Sequence, residues 1–78
     1  PAIKNFLNPK EDDLVKFIGY ASYYKDAVGV VVKLYSMFNW HPDVPDSVVV
    51  YIAGKDRGRV SELGPEFHPL GLEEVVKI

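Results

Sequence analysis

The chain has 78 residues, no cysteine and a formal net charge of −2. This length supports a single domain, and the absence of cysteine excludes disulfide bonds and thiolate metal sites. The charge balance argues against strong nonspecific binding to nucleic acid, because such binding usually needs an excess of basic residues.

The composition predicts a packed domain in a reducing compartment. Hydrophobic residues make up 47% of the chain, which favours a folded core over disorder. A chain without cysteine suits the cytoplasm or another reducing compartment. No apolar run is long enough to span a membrane and no signal peptide is evident, so we expect no membrane partner.

The first third of the chain supports two different interpretations. Asn8 and Glu11 match the capping positions of a helix over residues 8–25. The same stretch also alternates like a strand, with Val15 and Phe17 on the inward face. Local pattern alone slightly favours the helix.

The stretch over residues 27–35 predicts the central strand of the fold, because its β-branched valines suit a pleated surface. Val30, Val32 and Leu34 share one wholly apolar face, which we expect to meet the core. Gly29 lies near the start of the strand, where a glycine often marks a bulge, a bend or a close backbone approach, and we interpret it as a bend at the entry to the strand.

A loop with two prolines follows over residues 38–46, and a second clear strand follows over residues 47–53. In that strand, Val48, Val50 and Ile52 share one apolar face. After it we expect a glycine-bracketed turn, a third strand, an irregular stretch and a closing strand, at residues 54–58, 59–63, 64–71 and 72–78.

The order of these elements resembles that of small SH3-like barrels. The matching motifs are Asp13-Leu14-Val15-Lys16-Phe17, Gly29-Val30-Val31-Val32, Val48-Val49-Val50, Gly58-Arg59-Val60 and Leu72-Glu73-Glu74-Val75. The chain is similar in outline to the small stromal subunit of photosystem I, to the variable chain of ferredoxin–thioredoxin reductase and to small phage barrel proteins.

This resemblance implies an all-β fold, a small SH3-like barrel of about five strands over residues 13–78, with an N-terminal arm at residues 1–12. It favours a strand at residues 14–21. The alternative is an α+β fold, in which one N-terminal helix lies on an antiparallel meander of three or four strands. Because small barrels serve many roles, the resemblance implies a fold more than a function.

Residues 48–63 also resemble a KOW motif, whose basic turn contacts RNA in ribosomal and transcription-factor barrels. The resemblance implies that Lys55, Arg57 and Arg59 face phosphate groups. Ser61 stands where the motif usually has its second glycine. The favoured alternative is a solvated hairpin turn, so nucleic-acid binding is a secondary hypothesis.

Candidate catalytic and metal-binding residues are few. His41, Asp43 and Asp46 could bind a metal only if they converged with a fourth ligand such as His68. Both histidines precede a proline, and such pairs are more typical of loops than of metal sites. We therefore expect no metal and no other cofactor.

An N-terminal proline can act as a base, as it does in small tautomerases. This chain begins with Pro1, but Asn8-Pro9-Lys10 stands in the region where those enzymes have an arginine. Without a cation to hold an anionic substrate, a tautomerase-like enzyme is the least favoured hypothesis, and we expect no catalytic residues.

Aromatic side chains give the best functional signal. Tyr23, Tyr24, Phe38 and Trp40 lie in the two loops that flank the central strand, and the chain has more aromatic residues than one small core needs. Tyrosine and tryptophan are enriched at interface hot spots. The sequence therefore predicts a non-catalytic module that uses these four residues to dock on a larger protein or on copies of itself.

Overall fold

The computed structural model describes residues 9–38, 40–41, 43–56 and 63–78. These residues form strands β1 Leu14–Phe17, β2 Val28–Tyr35, β3 Ser47–Tyr51, β4 Phe67–Gly71 and β5 Val75–Lys77, with 3-10 turns at Ser22–Tyr24 and Leu72–Glu74. The predicted all-β fold is confirmed, and the alternative with an N-terminal helix is wrong for residues 14–17. No helix in the described ranges is long and apolar enough to cross a membrane.

The five strands form one antiparallel sheet in the order β4-β3-β2-β1-β5. Strands β4 and β5 therefore lie at opposite edges, although only the turn Leu72–Glu74 separates them in the chain. In a flat sheet these edges would lie about 19 Å apart, four spacings of about 4.8 Å. A three-residue 3-10 turn rises only about 6 Å, so the sheet must curl until its edges approach. The result is a small barrel-like fold.

The core fills the inner face of the curled sheet. Its buried side chains are Val15, Phe17, Val31, Val48, Val50, Ile52, Leu70 and Val75. The predicted inward faces of β1 and β3 are both confirmed in this set. Their period of two places alternate residues on one side of the sheet, where apolar burial stabilises the fold.

A β-bulge interrupts the pairing of β2 with β3. Val31 lies opposite Val50, but Lys33 lies opposite Val49, so Val32 is an extra residue in β2. A bulge of this kind bends the strand and increases its twist, which helps a short sheet to curl.

The bulge also changes which residues of β2 face the core. Gly29 and Val31 are buried before it, and Leu34 packs against the core after it. The predicted inward set is therefore right for Leu34 and wrong for Val32, which is 36% exposed, and for the half-buried Val30. One inserted residue shifts the alternation by one position, because side chains in a strand alternate with a period of two.

The second half of the chain departs from the predicted order of elements. Residues 59–62 of the predicted third strand lie outside the described residues, and β4 forms where we expected an irregular stretch. Leu72 donates its N–H to the carbonyl oxygen of Asp46 across the β3–β4 pair, at 3.0 Å. The backbone N–H and C=O groups of every second residue in β4 therefore point towards β3. The backbone of Pro69 points to the open edge of the sheet, where its missing N–H costs no hydrogen bond.

The predicted N-terminal arm lies only partly within the described residues. At its end, residues 9–12 form a turn against the sheet, with Pro9 buried and the Asp12 N–H donating to the Val31 carbonyl oxygen at 2.8 Å. The closing strand is confirmed over Val75–Lys77, after the 3-10 turn.

Candidate functional site

The four aromatic residues predicted to bind a partner lie in two different settings. Tyr23 and Tyr24 form the 3-10 turn before β2 and contact a histidine of β4, whereas Phe38 and Trp40 extend from the β2–β3 loop, residues 36–46. The tyrosine pair therefore packs against β4, whereas Phe38 and Trp40 lie on a separate loop.

Tyr24 belongs to the interior. Its ring packs on Phe17 and on His68, with centroid distances of 5.2 and 5.1 Å. His68 is fully buried, and its Nε2 lies 2.7 Å from the Lys55 carbonyl oxygen. Because a carbonyl oxygen only accepts, Nε2 carries the proton, and in the neutral ring Nδ1 accepts from the Tyr24 hydroxyl at 2.8 Å. Tyr24 therefore satisfies a buried polar atom.

Tyr23 covers the outside of the same cluster. Its hydroxyl donates to the carbonyl oxygen of Asp56, and the Lys55 Nζ lies 4.6 Å from its ring centroid. Lysine over a tyrosine face is a favourable cation–π contact. Lys55 is thus half-buried against Tyr23, while Arg57 and Arg59 lie outside the described residues. A nucleic-acid contact at these three residues stays a prediction.

Two of the residues considered as metal ligands, His68 and Asp46, have other partners. Both ring nitrogens of His68 take part in hydrogen bonds, and the carboxylate of Asp46 accepts backbone N–H groups. The described ranges contain no group of three or more histidine, aspartate or glutamate residues placed to hold a metal ion. Pro1, the residue of the tautomerase hypothesis, lies outside these ranges.

The β2–β3 loop is fixed at its base by Asp46. One carboxylate oxygen accepts the Met37 N–H at 2.8 Å, and the other accepts the Phe38 N–H at 2.9 Å. The Asp46 N–H in turn donates to the Tyr35 carbonyl oxygen at 3.1 Å. Hydrogen bonds to an ionised carboxylate are stronger than neutral ones, so Asp46 ties the backbone that carries Phe38 to the base of the loop.

Phe38 and Trp40 point into solvent from this fixed base. Phe38 is 84% exposed and Trp40 is 85% exposed. Trp40 stacks on His41, with ring centroids 4.3 Å apart. Exposed large apolar side chains that cluster in one place mark interaction surfaces more often than isolated ones do.

An apolar groove of about 390 Å³ lies next to the loop, on the side of β2, β3 and β4 that points away from the core. This outer groove is lined by Lys33, Tyr35, Met37, Val49, Leu63, Phe67 and Pro69. Sequence reasoning missed it, because the proline and glycine in β4 obscured the alternation of Phe67 and Pro69 with the buried His68 and Leu70.

The outer groove continues into two further depressions around Phe38. Tyr35, Met37 and Pro69 line both the outer groove and the first depression. Phe38 and Glu73 line both depressions. The outer groove, Phe38 and Glu73 therefore form one continuous surface, which we call the outer face.

The edge strand β4 beside this face is closed to an added strand. Its outward backbone positions are Phe67, Pro69 and Gly71. The Phe67 N–H donates to the Gly64 carbonyl oxygen at 3.3 Å, and the Gly71 N–H donates to a Glu74 carboxylate oxygen at 2.8 Å. Proline has no N–H. With no free N–H donor at these positions, β4 is poorly suited to pairing with an added strand.

No protein-family model matches this sequence, and comparison with curated proteins and with solved structures found no significant match.

Proposed function

We propose that this protein is a non-catalytic interaction module, which docks on a larger protein or on copies of itself through Phe38, Trp40 and the outer face. The observation that carries the proposal is the exposure of Phe38 and Trp40, 84% and 85%, on a loop whose base is held by Asp46. Tyr24, with its ring packed in the interior, supports the fold.

Fixing the loop in advance favours binding. Ordering a mobile loop at an interface costs free energy, and a loop that is already held by hydrogen bonds avoids most of that cost. Aromatic side chains add a large contact area with few rotatable bonds. Phe38 combines both properties, which is the pattern expected of an interface anchor, and Trp40 adds a second large exposed ring.

Site-specific photo-crosslinking tests the proposal directly. A photoreactive phenylalanine analogue at position 38 or 40 should crosslink efficiently to a protein in cells that make this chain naturally. Unlabelled wild-type protein should compete with the crosslink, and the Phe38→Ala protein should compete about tenfold less well or worse, as expected for a hot-spot residue.

The matched control is the same analogue at position 20. Tyr20 is also an exposed aromatic residue, but it lines neither the outer groove nor the depressions. Equal crosslinking at positions 20, 38 and 40 would contradict the proposal, and so would equal competition by the wild-type and Phe38→Ala proteins.

A further inference from the structure

We infer that the outer face is self-complementary and that its partner is a second copy of this chain, related by a twofold axis. The inference rests on the proposed function and names the partner of the same surface. In this dimer, Phe38 of each copy inserts into the outer groove of the other.

The shape of the outer face fits this arrangement. An exposed aromatic side chain, Phe38, and an apolar groove lie on either side of Tyr35, Met37 and Pro69, which line both the groove and the depression around Phe38. A twofold axis that passes through the surface formed by these three residues places Phe38 of each copy over the outer groove of the other. Each copy then offers one projecting ring and one groove to receive it, as an isologous interface requires.

The groove is suited to an aromatic ring. Its walls include the rings of Tyr35 and Phe67, with Val49, Leu63 and Pro69 between and beside them. Aromatic pairs gain free energy beyond the area that they bury, and the groove gives an inserted phenylalanine two such neighbours.

One pair of opposite charges on the outer face is also self-complementary, while Asp46 and Glu74 add further negative charge to the depressions. Lys33 lines the groove but neither depression, and Glu73 lines the depressions but not the groove. The same twofold axis places Lys33 of one copy beside Glu73 of the other, and does so twice. Both side chains are exposed, and among the described residues neither takes part in an ion pair within the chain.

Sedimentation velocity and sedimentation equilibrium test the inference with charge reversals. The wild-type protein should form a concentration-dependent dimer. Lys33→Glu and Glu73→Lys should each weaken homodimerisation by about tenfold or more, because each puts two pairs of like charges at the interface. An equimolar mixture of the two variants should dimerise again. One variant is acidic at both positions and the other is basic at both, so every facing pair in the mixed dimer has opposite charges.

Matched controls separate the interface from net charge. Lys25→Glu and Glu11→Lys reverse exposed charges outside the outer face and should leave dimerisation unchanged. Phe38→Ala should abolish the dimer while the circular dichroism spectrum stays that of the folded protein.

Two outcomes would overturn the inference. One is a wild-type protein that stays monomeric at high concentration, and the other is a mixture of the charge variants that dimerises no better than either variant alone. If a monomeric protein still crosslinks from position 38 to a different protein, the proposed function survives without the dimer. If it crosslinks to nothing, both proposals fail.

Discussion

Position 29 has no space for a side chain. A Cβ atom there would lie 2.4 Å from the carbonyl oxygen of Tyr51 and 2.6 Å from Cγ1 of Val50. The first contact is with backbone, which cannot move away without disturbing the β2–β3 pairing. The glycine therefore permits the close approach of two core strands, which is one of the roles that its place in the sequence left open.

Gly29→Ala should destabilise the protein by about 1–3 kcal/mol, the usual cost of forcing extra atoms into a packed site. Val32→Ala, at the exposed bulge position of the same strand, is the control and should cost less than about 1 kcal/mol. Urea denaturation measures both. Equal midpoints for the two variants would show that β2 and β3 can separate at Gly29 without penalty.

The hydrogen bond between Tyr24 and His68 gives a second prediction at the scale of single residues. Tyr24→Phe keeps the ring against Phe17 but leaves Nδ1 of the buried His68 without this donor. An unsatisfied buried acceptor costs about 1–3 kcal/mol, so the free energy of unfolding should fall by about that amount. Denaturant titration monitored by circular dichroism measures the change.

Tyr20→Phe removes the same hydroxyl from an exposed tyrosine and should leave the free energy of unfolding unchanged. If Tyr24→Phe also leaves it unchanged, the hydroxyl of Tyr24 is not needed in the interior. The sequence could not predict this pairing, because the partners lie 44 residues apart and meet only through the sheet topology.

At the scale of elements, local pattern predicts a strand well where apolar and polar residues alternate. Strand β3 follows such a pattern, and its buried residues agree with it. In β1 the same alternation competes with helix-capping signals, so local pattern slightly favoured a helix and only the resemblance to small barrels favoured the strand. The bulge at Val32 is invisible to a pattern within one strand, because it depends on the pairing with β3. Strand β4 was missed for another reason: Pro69 indicates irregular structure unless its position at a sheet edge is known.

The anchoring of the β2–β3 loop by Asp46 gives a prediction for that element. Asp46→Ala removes the acceptor of the Met37 and Phe38 N–H groups, so both amides should become more mobile. Nitrogen-15 relaxation should show lower order parameters at these two residues, and self-association or partner binding should weaken. The strands should remain, since Asp46 is not part of the apolar core.

Asp43→Ala removes a carboxylate from the same loop and is the control, with unchanged order parameters at Met37 and Phe38. Unchanged order parameters in the Asp46→Ala protein as well would mean that other contacts hold the loop. In that case Asp46 would not be the residue that orders the loop before Phe38 contacts a partner.

At the scale of the whole molecule, the aromatic residues that pack in the interior differ from those that we propose to bind a partner. In the interior, Tyr24 packs on both Phe17 and His68, whereas Phe38 and Trp40 remain in solvent. The sequence identified both aromatic pairs as unusual but could not separate them, because exposure is a property of the assembled sheet. The outer groove escaped sequence analysis for the same reason, since it exists only once three strands lie side by side.

Trp40 is the only tryptophan in the chain, so fluorescence excited at wavelengths that tyrosine does not absorb reports on the β2–β3 loop alone. In dilute solution its emission maximum should lie near that of free tryptophan in water, because the side chain is 85% exposed. Association should shift the maximum to shorter wavelength as the ring leaves water. Phe38→Ala should abolish that shift and Tyr20→Ala should preserve it. A maximum that is already at short wavelength in the dilute monomer would instead place Trp40 inside the folded chain, where it could not serve as a contact residue.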